Sequence, residues 1–231
     1  MTPSTNKQWL DQVIEETLEP DLPICDPHRH LWEFREERAA HCYLMDEIQA
    51  DVTAGHNVVS TVFIECGAMW KTDGDEAMRV IGETEFVNGI AAMSASGIYG
   101  DCRVAAGIIG TVDLDIGART GDVLDAHTQA GGGRFRGIRC QGTWDASDAI
   151  KNGRNVTAPN RFESPTFQEG FAELDKRGMT FEAWCYHPQI PSVTDLAKAF
   201  PNASIILDHF GGPLGTGPYA GKADAVFEQW R

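Results

Sequence analysis

Residues 58–65 read VVSTVFIE, a β-branched run with little polar alternation. Such a run predicts a strand covered on both faces. Downstream, Met78, Ile81, Phe86, Ile90 and Met93 recur at helical spacing, predicting a helix over 75–95. Residues 103–112, RVAAGIIGTV, predict the next strand. Strand, helix and strand in that order make a parallel crossover unit.

The alternation continues in both directions. Downstream it predicts a helix at 117–130, a strand at 135–141 (FRGIRCQ), a helix at 165–178 closing at Gly178, a strand at 180–186 (TFEAWCY), a helix at 190–200 and a strand at 203–209 (ASIILDH). Upstream, Ile24–His28 predicts a short first strand. Before it, 5–18 predicts an amphipathic helix with Trp9, Val13, Ile14 and Leu18 on one side, capped by Thr5 and Gln8 and stopped by Pro20 and Pro23. Cys25, Cys140 and Cys185 fall within strands and are expected to fill the core.

Alternating apolar strands and helices predict an α/β fold with a parallel sheet. No GxGxxG follows the first strand, which favours a (β/α)8 TIM barrel over a dinucleotide-binding sheet. Such a barrel takes eight strands and typically about 250 residues. Here six are found in 231 residues. The expectation is one barrel domain over 1–231, with 1–23 as helix and lead-in and 24–231 as strands one to six, truncated at its C-terminal side.

Nineteen Lys and Arg face 34 Asp and Glu, giving a net charge of −15. That balance argues against nucleic acid or an anionic membrane as partner. A small-molecule substrate remains, because a site can be locally basic; the composition leaves the oligomeric state open. Six cysteines without a CxxC pair predict reduced thiols and a cytoplasmic location.

In a parallel barrel the C-terminal strand ends share one mouth. His28 and His30 are two apart at the end of strand one, so in extended chain they share a side. Two imidazoles so placed suit a divalent metal. Strand two ends at Glu65, a ligand, a partner of an imidazole or a salt-bridge residue. Strand five ends at His187 and strand six at Asp208-His209. Arg136 and Arg139 are three apart in strand four and face opposite sides; either could grip a substrate carboxylate or pair with a core acid, and Arg139 is expected inward. His41, His56 and His127 are expected on the surface or in packing. Trp32, Trp70, Trp144 and Trp184 are expected to pack. The loop 142–164 is the expected specificity element.

The motifs Asp26-Pro27-His28-Arg29-His30-Leu31-Trp32, Phe63-Ile64-Glu65, Phe135-Arg136-Gly137-Ile138-Arg139 and Leu207-Asp208-His209-Phe210-Gly211-Gly212-Pro213 resemble the amidohydrolase superfamily. They are most similar to its branch of metal-dependent TIM-barrel hydrolases that contains sugar-acid lactonases and pyrone-dicarboxylate lactonase. The resemblance implies His28, His30 and His187 as metal residues, His187 and His209 as catalytic residues, and Arg136 and Arg139 at a substrate carboxylate. No lysine ends strand four, so it implies one divalent ion, Zn or Mn, or a metal-free mechanism. The strand-eight aspartate of the family has no counterpart here, and Asp208 is not expected to replace it. The implied activity is hydrolysis of a lactone or similar cyclic ester or amide bearing a carboxylate. The alternatives are a non-oxidative decarboxylase of the same superfamily and an inactive fragment lacking that aspartate.

Overall fold

A computed structural model describes residues 11–34, 42–156 and 158–231. It holds six β-strands: β1 (Ile24–Arg29), β2 (Val58–Ile64), β3 (Arg103–Gly110), β4 (Phe135–Gln141), β5 (Thr180–Trp184) and β6 (Ser204–Leu207). Its helices are α1 (Met45–Val52), α2 (Ile81–Ala95), α3 (Thr120–Ala130), α4 (Pro165–Asp175), α5 (Ile190–Ala199) and α6 (Ala223–Trp230). The chain divides into two compact units, one of residues 1–110 and 127–135, the other of 111–126 and 136–231.

In the first unit β1 pairs with β2 and β2 with β3, both parallel. Phe63 and Ile64 of β2, Ile108 and Ile109 of β3, Val87 of α2 and Ile48 of α1 are buried and supply its core. α1 begins where Glu47, three residues in, accepts the Leu44 N–H at 2.8 Å. His127 is fully buried; it lies flat on Phe135 at 4.8 Å between ring centres and shares a 2.8 Å hydrogen bond with Thr84. It is a packing residue, as expected, while His56 is exposed and His41 lies outside the described residues.

In the second unit β4 pairs with β5 and β5 with β6, again parallel, with Arg139 opposite Glu182. Gly137 is required at that seam, since a Cβ there would lie 2.1 Å from the Thr180 carbonyl oxygen. Phe162, Phe167, Phe171 and Phe181 meet edge-on in the core at 5.1 to 6.2 Å. α4 opens on Pro165, whose missing N–H costs nothing in a first turn. Gly178, at φ +62°, turns the chain out after it.

The α/β class expected from the alternation is present, with all six strands where the pattern put them. Three differences have physical causes. Residues 11–18 hold no helix, and 5–10 lie outside the described residues. Val13, Ile14 and Leu18 are 72%, 88% and 82% exposed, so the apolar stripe has no surface to stabilise it as a helix. β6 ends at Leu207 because His209, Phe210, Gly211 and Gly212 all take positive φ, between 48° and 71°. Cys25 is exposed rather than core, because β1 covers only alternate residues; Cys140 and Cys185 are buried as expected. No described helix is long and apolar enough to cross a membrane.

Candidate functional site

The end of β1 carries the His-x-His pair. The rings of His28 and His30 stand at right angles, 4.9 Å between centres. His30 Nδ1 lies 2.8 Å from the Ile64 carbonyl oxygen on neighbouring β2. A carbonyl only accepts, so Nδ1 carries a proton, and in the neutral ring the lone pair is on Nε2. That orientation is the one metal-binding imidazoles adopt. Asp26 braces the segment: one oxygen accepts the His28 N–H at 3.1 Å, the other the Arg29 Nε–H at 2.5 Å. Arg29 also donates to the Tyr43 hydroxyl, which in turn donates to Asp51. Trp32 stacks on Tyr43 and exchanges both backbone hydrogen bonds with it.

Glu65, just past β2, is buried, and its N–H donates to Ile109 on β3. Glu83 on α2 is buried beside it. One Glu83 oxygen accepts the backbone N–H groups of Cys66 and Ala68, at 3.0 and 2.8 Å; the other faces the Trp70 indole N–H at 3.5 Å. Burial, then the Glu65 charge, raises the Glu83 carboxyl to about 7. Glu83 thereby straps down the segment that follows β2.

In the second unit Arg139 is buried and Arg136 is exposed, on opposite sides of β4 as the three-residue spacing demands. Arg136 sits near the start of the strand and Arg139 near its end. Arg139 Nη1 lies 3.7 Å from Asp208 Oδ2. Glu182, the strand neighbour of Arg139 on β5, is buried as well.

His187, following β5, is fully buried with the Tyr219 ring edge-on at 5.1 Å. The Leu214 N–H points at His187 Nδ1 from 3.5 Å. Nδ1 therefore accepts, and Nε2 carries the proton. Burial lowers the His187 pKa; Gln229 and Asp145 oppose this only in part. The ring is thus a neutral N–H donor, and its buried Nε2 makes no hydrogen bond of normal length among the described residues, with the Gln229 side chain beside the ring. His209 is exposed on the left-handed turn after β6, edge-on to Trp184 at 4.7 Å. A non-glycine residue at φ +50° is uncommon, and such strain collects at functional positions.

Arg161 was not among the residues expected from sequence. Its side chain, 9% exposed, grips Asp113 at 2.6 Å, Asp115 at 2.9 Å and the Gln141 carbonyl at 2.8 Å. It pins loop 142–164 to the end of β4. Asp208, placed by sequence at the end of strand six with no role of its own, is the partner of Arg139, and Glu83 is a further buried acid. Its helical spacing from Val80, Val87 and Ile90, which puts an acid on the apolar face of the helix, is the signal in the sequence for Glu83.

Comparison with known proteins bears on the family and the fold. The family model described as Amidohydrolase matches residues 98–231. An uncharacterized protein, y4mH, of Sinorhizobium fredii is 29% identical over 91% of this chain and 67% of its own length. A zinc-bound amidohydrolase from Burkholderia multivorans superposes with a TM-score of 0.61 at 19% identity, covering 89% of this chain. A probable 2-pyrone-4,6-dicarboxylic acid hydrolase from Acinetobacter baumannii, with citric acid bound, gives 0.56 at 12% identity over the same share. This chain spans 62% of the first structure and 64% of the second. At these identities the structural likeness speaks to fold alone, and the fold is that of the TIM-barrel amidohydrolases.

Proposed function

The chain belongs to the amidohydrolase family, and from that membership we propose that it hydrolyses a cyclic ester bearing a carboxylate. Water adds to the ester carbonyl carbon, the ring C–O bond breaks, and a hydroxy acid is released. The observation that carries this reading is the opposed tautomers of two strand-end histidines. His30 presents a lone pair and His187 an N–H.

His187 acts as the donor. Its buried Nε2–H is set to polarise a carbonyl and to stabilise the negative charge that develops on the oxygen. Its burial strengthens that bond and keeps the ring neutral. His209 is the second catalytic residue and serves the same oxygen. Arg139 faces the substrate carboxylate, its charge moderated by Asp208. Arg136, on the other side of the strand, is the alternative.

The donor set at the end of β1 fits a divalent metal, Zn or Mn. His28 and His30 would hold it, and the Nδ1–H of His30 is already fixed by a carbonyl. When bound, such an ion supplies Lewis acidity. The tautomer of His187 suits a donor better than a third ligand.

The test is proton release in a pH-stat with 2-pyrone-4,6-dicarboxylate and with uncharged δ-valerolactone, each with and without added Zn2+. Ring opening of the dicarboxylate, reduced about 100-fold by His187→Gln, is the expected result. Carbon dioxide release without ring opening would replace this reading with the decarboxylase one.

A further inference from the structure

A cavity of about 550 Å3 lies within the second unit, among the segments that follow β4, β5 and β6. Trp144 and Tyr219 give it aromatic walls, and Pro188 and Pro218 extend the apolar surface. Among the described residues, Asp145 is the one charged side chain in the lining.

The polar groups of the lining are held by one another. Asp145 Oδ1 accepts the Ser147 N–H at 2.8 Å, and Oδ2 accepts the Tyr219 hydroxyl at 2.7 Å. Gln189, buried, clamps the Trp144 backbone through its side-chain amide: Nε2 donates to the carbonyl at 3.1 Å, and Oε1 accepts the N–H at 3.5 Å. The Tyr219 hydroxyl stays protonated, its pKa raised to about 12 by that bond to Asp145. The aromatic walls are therefore fixed before anything enters, which lowers the ordering cost of binding.

We propose that this cavity is a subsite for an uncharged planar ring, and that Asp145 turns carboxylates away from it. Flat apolar walls reward a flat apolar guest. A carboxylate fixed by two hydrogen bonds in the wall repels a second one brought against the same wall. The inference rests on the proposed function only for the carboxylate on the substrate. It adds an orientation: the ring enters this cavity uncharged side first, and the carboxylate stays outside it.

The test uses two isosteric probes, benzamide and benzoate, on the full chain labelled with 5-fluorotryptophan. The Trp144 fluorine resonance is assigned by its loss in Trp144→Phe. Benzamide is expected to shift that resonance saturably, and benzoate to need at least tenfold higher concentration. Asp145→Asn should bring the two within about twofold. Ala146→Lys, at an exposed lining position, should narrow the gap by an independent route should the first variant fail to fold. A Trp144 signal that ignores benzamide overturns the proposal. So does equal response to both probes in the unaltered chain, or a gap that survives a folded Asp145→Asn or Ala146→Lys. The readout needs no turnover. Ring binding without lactone hydrolysis would sink the hydrolase reading alone, and hydrolysis with a silent Trp144 would sink the subsite alone.

Discussion

Arg139 on β4 and Asp208 at the end of β6 meet at 3.7 Å, with only 8% and 3% of their side chains exposed. Neither group could remain charged there alone without a large desolvation penalty. Removing one partner strands the other. Asp208→Asn and Arg139→Met are each expected to cost about 3–5 kcal/mol, and the double replacement Arg139→Met/Asp208→Leu to recover most of it. Urea unfolding of the three variants measures this. Additive losses in the double variant would show that the pair is not coupled.

The buried Glu83 carboxyl gives unit one a pH dependence of unusual sign. Its pKa is raised from 4.5 to about 7, so the folded state holds a proton that the unfolded chain releases earlier. Stability therefore falls as pH rises from about 4.5 to about 7, by roughly 3 kcal/mol at full effect. Glu83→Gln removes the titration, and unfolding curves across that window should flatten. An unchanged slope would mean that other groups set it.

His187 predicts the opposite slope at slightly lower pH. Its pKa lies below the usual 6.5, so the unfolded chain takes up a proton before the folded one. The stability it contributes is complete above 6.5 and is lost as pH falls below that value. Long-range 1H–15N spectra of the imidazoles should show His187 with its proton on Nε2 and His30 with its proton on Nδ1. The reverse assignment for either ring would remove the basis of the roles given to them.

Gly137→Ala tests the seam of β4 and β5. The added methyl would sit 2.1 Å from the Thr180 carbonyl oxygen, a backbone atom that cannot swing aside. A loss of more than about 4 kcal/mol is expected, seen as insoluble expression or a collapsed thermal transition. Gly89→Ala, which meets nothing within 4 Å on α2, is the neutral or stabilising control.

Strand positions were legible because buried parallel strands announce themselves as continuous apolar runs, and VVSTVFIE is the clearest of them. α1 was not read, since Met45–Val52 is short and carries an acid-rich first turn. The Val13, Ile14 and Leu18 stripe misled, because periodicity says that a face is apolar but not that a partner exists. At the site, strand-end placement brought out His28, His30, His187 and His209. It did not reveal that Asp208 leaves its strand to meet Arg139, because the left-handed turn after Leu207 breaks strand alternation. Arg161 escaped because its acidic partners, Asp113 and Asp115, lie more than 40 positions away in sequence.

The edge-on contact of His209 with Trp184 has an optical consequence. The imidazole edge makes up one side of the indole's surroundings, so His209→Ala should move the part of the emission spectrum that Trp184→Phe removes.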